Sequence, residues 1–343
     1  MTSPAPLRAA STALAALVAF HLATPVAAQL PGTVPATEWK VPWEKSRPRD
    51  PAVHPDGRIF FVGQEGNYVA SLDPRTGQFR RYTIDEGTHP HNCVVDARGQ
   101  VWYAGNRNAM IGRLDPTTGV ITRYPMPDST VRDPHTLIFD KNGDLWFTAQ
   151  FAGAVGKLEV KTGKIHIVKM PERGWRPYGI VIDAANRPVF DLFGTNKIGT
   201  IDPATMTLKT YPLPNDRARP RRIGLTGDGT VWYVDYTRGA LGRLDPRSGA
   251  VTDFALPGGP ASLPYAMTVD DKDRIWFVET GKQPNRLIGF DPRTKAFFGH
   301  TDIESGGGTV RHMVFDRKSG LIWFGTDNGT IGRAQVSGAR PAM

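Results

Sequence analysis

The sequence predicts an all-β fold, a seven-bladed β-propeller of four-stranded blades whose ring is closed by the N-terminal strand pairing into the last blade. Two landmarks sharing one period carry that expectation. An aromatic position recurs at Phe60, Trp102, Trp146, Val189, Trp232, Trp276 and Trp323, at spacings of 42, 44, 43, 43, 44 and 47 residues. An acidic position recurs at Asp73, Asp115, Glu159, Asp202, Asp245 and Asp291, at spacings of 42, 44, 43, 43 and 46 residues. A repeat of about 40–45 residues holding several short apolar runs marks a propeller blade. The third observation is turn chemistry. Asp-Pro-x-Thr-Gly or a near variant stands at Asp73–Gly77, Asp115–Gly119 and Asp245–Gly249. Proline presets φ at the second turn position, and glycine supplies the positive φ that closes the hairpin. No window keeps a 3.6-residue period, so few helices are expected.

The third repeat shows how one unit reads. His135–Asp140 is a first strand, Lys141-Asn142-Gly143 a turn, and Asp144–Thr148 a second strand. Val155–Glu159 and Lys164–Met170 follow as third and fourth strands, joined by a turn at 161–163. At the N-terminus, residues 36–42 align with 121–127, 208–214 and 251–257, all fourth strands, so a fourth strand stands there without its blade. The seventh repeat has the complementary gap, with runs at 310–316, 321–324 and 330–334 and then no fourth. Pairing the two removes an open sheet edge. The expected blades are 51–85, 90–127, 134–171, 177–214, 220–257, 264–303, and 310–335 with 36–42, together one domain over 29–343. The recurring tryptophan is expected to pack between adjacent blades, and Val189 marks blade four as degenerate.

Residues 1–28 read as a cleavable signal peptide. Arg8 precedes the apolar, alanine-rich stretch Ala9–Ala23, and Val26-Ala27-Ala28 supplies the small residues of a cleavage site before Gln29. The expected location is periplasmic or secreted, with no membrane span once the signal is removed. Cys93 is the only cysteine and sits in an apolar run, so an inert buried thiol is expected. The net charge is +9, its basic residues are scattered through turns apart from Arg217, Arg219, Arg221 and Arg222, and no basic stripe is interleaved with aromatics. That pattern argues against nucleic acid as a partner. A monomer acting on or binding a small molecule is expected.

Topology places the start of each first strand and the end of each second strand at one face of the propeller. The first-strand start repeats Pro followed by a large polar residue: Pro90-His91, Pro134-His135, Pro177-Tyr178, Pro220-Arg221 and Pro264-Tyr265, with Val310-Arg311 in blade seven and Pro51-Ala52 in blade one. These residues are expected to ring one channel mouth. The second-strand ends read Gly63, Gly105, Ala149, Leu192, Asp235, Glu279 and Thr326, so Asp235 and Glu279 are the acids there. Imidazoles, phenols, guanidiniums and carboxylates at one mouth suit proton abstraction or metal-assisted chemistry. Structural ion pairs of Asp235 and Glu279 with Arg221 and Arg311 are the alternative for the acids. His89 and His312 adjoin the ring. No phosphate loop, zinc-type cluster or Gly-x-Ser-x-Gly elbow is present.

The blade phrases resemble those of the virginiamycin B lyase (streptogramin lyase) family. The matching pieces are Asn142–Thr148, Ile275–Glu279, Pro177–Ile180, Asn196–Gly199 and Ile111–Leu114, and the likeness covers essentially the whole chain after residue 28. The resemblance implies the seven-bladed fold and a carbon–oxygen lyase that opens an ester by elimination. It also implies a Mg²⁺ held by glutamates and a histidine base; Ca²⁺ is the other cation considered. On this chain that reading puts the metal on Glu279 and Asp235 and the base on His91 or His135. Tyr178, Arg221, Tyr265 and Arg311 are then substrate-binding. Glu279 is the one glutamate at the family's Trp-Phe-Thr-Glu position, and Thr280-Gly281-Lys282 follow it with no histidine. The competing expectations are a non-catalytic propeller binding a ligand or partner protein, and a calcium-dependent lactonase-type hydrolase.

Overall fold

Twenty-eight strands form seven four-stranded antiparallel sheets in a computed structural model that describes Met1 and residues 33–339. The leader expected at 1–28 lies, apart from Met1, outside the described residues. Two 3₁₀ segments, Arg173–Trp175 and Pro260–Ser262, are the only helical turns among the described residues. No helix there is long and apolar enough to cross a membrane.

The turns behave as their sequences require. In Asp115–Gly119 the Asp115 carboxylate accepts the Thr117 N–H at 2.8 Å, and Gly119, at φ 79°, donates its N–H to the Asp115 carbonyl at 2.8 Å. The aspartate thus supplies the turn's missing acceptor, and glycine occupies a left-handed position without steric cost.

The tryptophan landmark packs between blades, as Trp102 does edge-on to Phe139 of the next blade at 5.9 Å. It also holds the turn that precedes it. Trp102, Trp146 and Trp276 each donate their indole N–H to an aspartate six residues earlier: Asp96 at 2.9 Å, Asp140 at 3.2 Å and Asp270 at 2.9 Å. The buried indole nitrogen finds its acceptor in the same turn that starts its strand.

The N-terminal strand Ala36–Lys40 pairs antiparallel with Thr330–Gln335, from Ala36 opposite Ala334 to Lys40 opposite Thr330. The two outer strands of the blade-seven sheet therefore come from opposite ends of the described residues. Trp39 stacks on Trp323 at 5.7 Å. Glu38 accepts hydrogen bonds from Thr330 Oγ1 at 2.5 Å and from the Ser305 N–H at 3.1 Å. Cys93 is buried, as its apolar surroundings imply.

Candidate functional site

Six of the seven first strands carry the same irregularity. Pro134 lies opposite Ala149 but Leu137 lies opposite Phe147, so the register slips by one residue between them. The same slip occurs in blades one, four, five, six and seven. Such a bulge releases residues from the ladder and re-aims their side chains. In blades three, four, six and seven the released pair is the ring residue and its successor, in blade five Arg221 alone is released, and in blade one Asp50 and Pro51 are, so the channel receives two layers of functional side chains.

Blade one corrects the expected register. Pro48, not Pro51, lies opposite Gly63, and the first strand is Pro48–Val53. Its ring residue is Arg49 rather than Ala52. A signal was available: the proline precedes the aromatic landmark by 12 residues in blades two to six, and Pro48 stands 12 before Phe60 where Pro51 stands 9. The ring is therefore Arg49, His91, His135, Tyr178, Arg221, Tyr265 and Arg311.

These side chains converge. The His91 and His135 rings lie 3.5 Å apart between centroids, and His135 lies 4.2 Å from Tyr178. The Tyr178 and Tyr265 hydroxyls are hydrogen-bonded to each other. The Arg221 guanidinium covers Tyr265 at 3.8 Å, Tyr236 at 4.1 Å and Phe193 at 4.6 Å. Arg311 lies 5.6 Å over Tyr265 and forms an ion pair with Asp327 at 2.7 Å.

The second layer contains residues that the sequence reading passed over. Asp50 is fully buried at φ 50° and contacts Arg49 at 3.2 Å, while its Oδ2 accepts the Asn92 amide at 2.9 Å. Arg222 lies 3.7 Å from Asp50 and donates to the Arg311 carbonyl at 3.0 Å and to Thr136 Oγ1 at 3.3 Å. Thr136 Oγ1 in turn meets His135 Nδ1 at 2.9 Å. Burial opposes ionisation of Asp50, yet the adjoining Arg49, His312 and Arg222 outweigh it and hold the carboxyl well below its usual range.

This balance gives a stability prediction. Asp50→Asn keeps a residue tolerant of the left-handed backbone but leaves Arg49 and Arg222 without their buried counter-charge. A loss of about 3–5 kcal/mol in denaturant unfolding is expected. Because the folded carboxyl is depressed, its contribution is full above the unfolded value near pH ~4 and is lost as the pH falls further. The variant should lack that acid-dependent loss, and an unchanged acid limb would contradict the assignment.

The electrostatics of the first layer follow from the same cations. Burial first, then Arg49 and His135, lowers His91 well below the ordinary imidazole value. Burial first, then Arg222 and Arg49, does the same to His135, so both rings are unprotonated at neutral pH. For Tyr265 burial opposes ionisation, but Arg221, Arg49, Arg222 and Arg311 together bring the phenol down to about 7. Its partner Tyr178 is pushed up to about 12, by burial and then by Tyr265.

Asp235 and Glu279 end their second strands where expected, opposite Pro220 and Pro264, and both are fully buried. Among the described contacts neither meets a ring side chain. Asp235 accepts from the Arg219 N–H at 3.0 Å and pairs with Arg238 at 3.1 Å. Glu279 Oε1 accepts the Gly258 N–H at 2.7 Å, and Oε2 has no partner. A Cβ on Gly258 would stand 2.6 Å from both oxygens, so the loop is moulded onto this carboxylate. Burial raises the affinity of both acids for protons. Among the described residues no three His, Cys, Asp or Glu side chains gather to hold a metal ion. This donor set does not fit the cation implied by the resemblance. Added Mg²⁺, Mn²⁺ or Ca²⁺ should leave the melting temperature unchanged. A rise abolished by Glu279→Gln would restore the metal to that carboxylate by mass action.

Residues 34–334 match the virginiamycin B lyase family. The chain belongs to that family. Among solved structures, a streptogramin B lyase superposes with a TM-score of 0.79 at 25% identity, covering 88% of this chain and 97% of that one. The virginiamycin B lyase of Staphylococcus aureus matches with a TM-score of 0.79 at 22% identity, over 88% of this chain and 99% of that one. A catalytically inactive histidine-to-alanine variant of the S. aureus enzyme, with quinupristin, matches with the same score, identity and coverage. No curated protein matches this chain. In this chain Arg49, Arg221, Arg222 and Arg311 surround the Tyr178–Tyr265 pair of phenols.

Proposed function

We propose that this family member is a carbon–oxygen lyase that eliminates a carboxylate from an ester or lactone at the ringed mouth. The observation that carries the reading is the hydrogen-bonded Tyr178–Tyr265 pair enclosed by four guanidiniums, beside two unprotonated imidazoles. In this reading the Tyr265 phenolate removes the proton next to a carbonyl. The C–H electron pair becomes the new carbon–carbon double bond as the carbon–oxygen bond breaks. The oxygen departs with its electron pair as a carboxylate, and Tyr265 keeps the proton.

Charge conservation favours Tyr265 over the histidines expected from the sequence. Proton transfer to a phenolate moves one negative charge from Tyr265 to the leaving group, and the same guanidiniums stabilise both. Transfer to His91 or His135 would create an imidazolium among buried arginines, which the depressed values of both rings oppose. The imidazoles then serve as neutral hydrogen-bonding groups for the substrate carbonyl. Preorganised donors of this kind are a major source of rate acceleration. The signal-like residues 1–28 put the proposed site of action in the periplasm or outside the cell, with a small molecule as substrate.

The test is turnover of cyclic depsipeptides, lactones and aryl esters in oxygen-labelled water. Elimination yields an alkene and an unlabelled carboxylate. A labelled product without alkene would make the chain a lactonase-type hydrolase. Inactivity across the panel, combined with tight binding of one compound at the mouth, would make it a binding propeller.

A further inference from the structure

The buried ring holds polar nitrogens that nothing among the described residues uses. Arg49 Nη2, Arg221 Nε and Arg222 Nη2 have no hydrogen-bond partner, and neither do His91 Nδ1 and His135 Nε2. Arg49 and Arg222 are each only 3% exposed, so bulk water does not solvate them. An unmatched buried donor is costly, and a cluster of them at one place is a mould for acceptors. The charges agree. Asp50 is shared by Arg49 and Arg222, and Asp327 serves Arg311, while Arg221 faces aromatic rings with no carboxylate in contact. Arg221 and Arg311 remain partly exposed, which gives the cluster an approach from the mouth.

We propose that the ring is a carboxylate-binding site, in which Arg221 supplies the primary guanidinium and the free donors of Arg49 and Arg222 complete the cradle. The planar fork of arginine matches a carboxylate's two oxygens. The rings of Phe193, Tyr236 and Tyr265 enclose the Arg221 guanidinium and hold the fork in place. The carboxylate is either a free anion of this class or the leaving group of the proposed elimination. The binding site itself does not depend on the elimination being right.

Occupation should be coupled to a proton. The charged and titratable groups facing Tyr265 are Arg221, Arg49, Arg222 and Arg311, with Tyr178 hydrogen-bonded to it and Tyr236 edge-on at 6.0 Å. A carboxylate among those guanidiniums repels the phenolate, so Tyr265 takes up a proton as the anion enters at mildly alkaline pH.

Calorimetric titration with benzoate and succinate tests this, with benzamide, sulfate and phosphate as controls, in buffers of different ionisation enthalpy. Saturable carboxylate binding is expected, with proton uptake above pH 7, loss of near-ultraviolet phenolate absorption, and no comparable binding of the controls. Arg221→Gln should weaken benzoate by about 10–100-fold, Arg221→Lys should recover part of it, and Tyr265→Phe should abolish the proton uptake. Equal binding of benzoate and benzamide would reduce the ring to an apolar pocket and overturn the proposal. Sulfate or phosphate binding as tightly as benzoate would overturn its carboxylate selectivity. Absence of any anion binding would mean that water serves the free donors. A lyase that turns over without binding free carboxylates sinks this inference alone. Carboxylate binding without turnover sinks only the lyase reading. With an active lyase, competitive inhibition by its own carboxylate product but not by benzoate or succinate would identify the leaving group as the occupant.

Discussion

Tyr265→Phe is expected to fold and to lose about 10²–10⁴ in kcat on any substrate the ring eliminates, the usual contribution of a general base. The loss should fall on kcat more than on KM, because the proton moves only in the transition state. His135→Ala removes a hydrogen-bonding neighbour instead, and a loss of about tenfold or less is expected, the scale of one net hydrogen bond. The reverse ranking would return the base to the histidine. A second readout is independent of turnover. The folded phenol is depressed from 10 to about 7 by the four arginines. It therefore contributes stability that appears as the pH rises from about 7 towards 10 and is lost as the pH falls through 7. The wild type should gain stability across that alkaline window, and the phenylalanine variant should not. Parallel curves would remove the ionised phenol from the site.

Deleting residues 33–42 is expected to lower the melting temperature by well over ten degrees or to prevent folding. The deletion strips blade seven of its outer strand, exposing the Thr330–Gln335 edge. It also removes Trp39 from Trp323 and Glu38 from Thr330 and Ser305. Val34, buried in the cluster formed by blades six and seven, goes with them. Burial of Val34 and partial burial of Trp39 contribute about 2–4 kcal/mol at about 25 cal/mol per Å² of apolar surface. A change of 1 kcal/mol shifts the midpoint of a domain of 150–250 residues by about 2–4 °C. An intact melting curve, with the shortened chain still monomeric, would show that the ring closes without its N-terminal strand.

The repeat was legible because a blade is a local object. Its turns need aspartate and glycine at set offsets, and the indoles of Trp102, Trp146, Trp232 and Trp276 find a partner six residues back, so the requirement is written into the unit itself. Closure was legible for the same reason, since 36–42 repeats the fourth-strand pattern of 121–127. The ring residues His91, His135, Tyr178, Arg221, Tyr265 and Arg311 were readable as a column because each follows the same strand start. Arg49 was hidden only by Pro51, which imitates the marker three residues late.

What the sequence by itself determined is therefore the blade, the number of blades, the strand that completes the seventh, and the column of residues that meets at one mouth. Only the tertiary structure decided what those residues are to one another. Arg49, Asp50, Arg222 and Arg311 lie in blades far apart along the chain, and closure of the ring brings them around one axis. Tyr178 and Tyr265, 87 residues apart, share a hydrogen bond there. Whether a guanidinium near a phenol acidifies it depends on burial, distance and the number of neighbouring cations, and none of these is a property of a residue or its local pattern. Asp235 and Glu279 show the same limit from the other side. Their position in the repeat put them beside the mouth, but loops at Arg219 and Gly258 took one oxygen of each for the backbone.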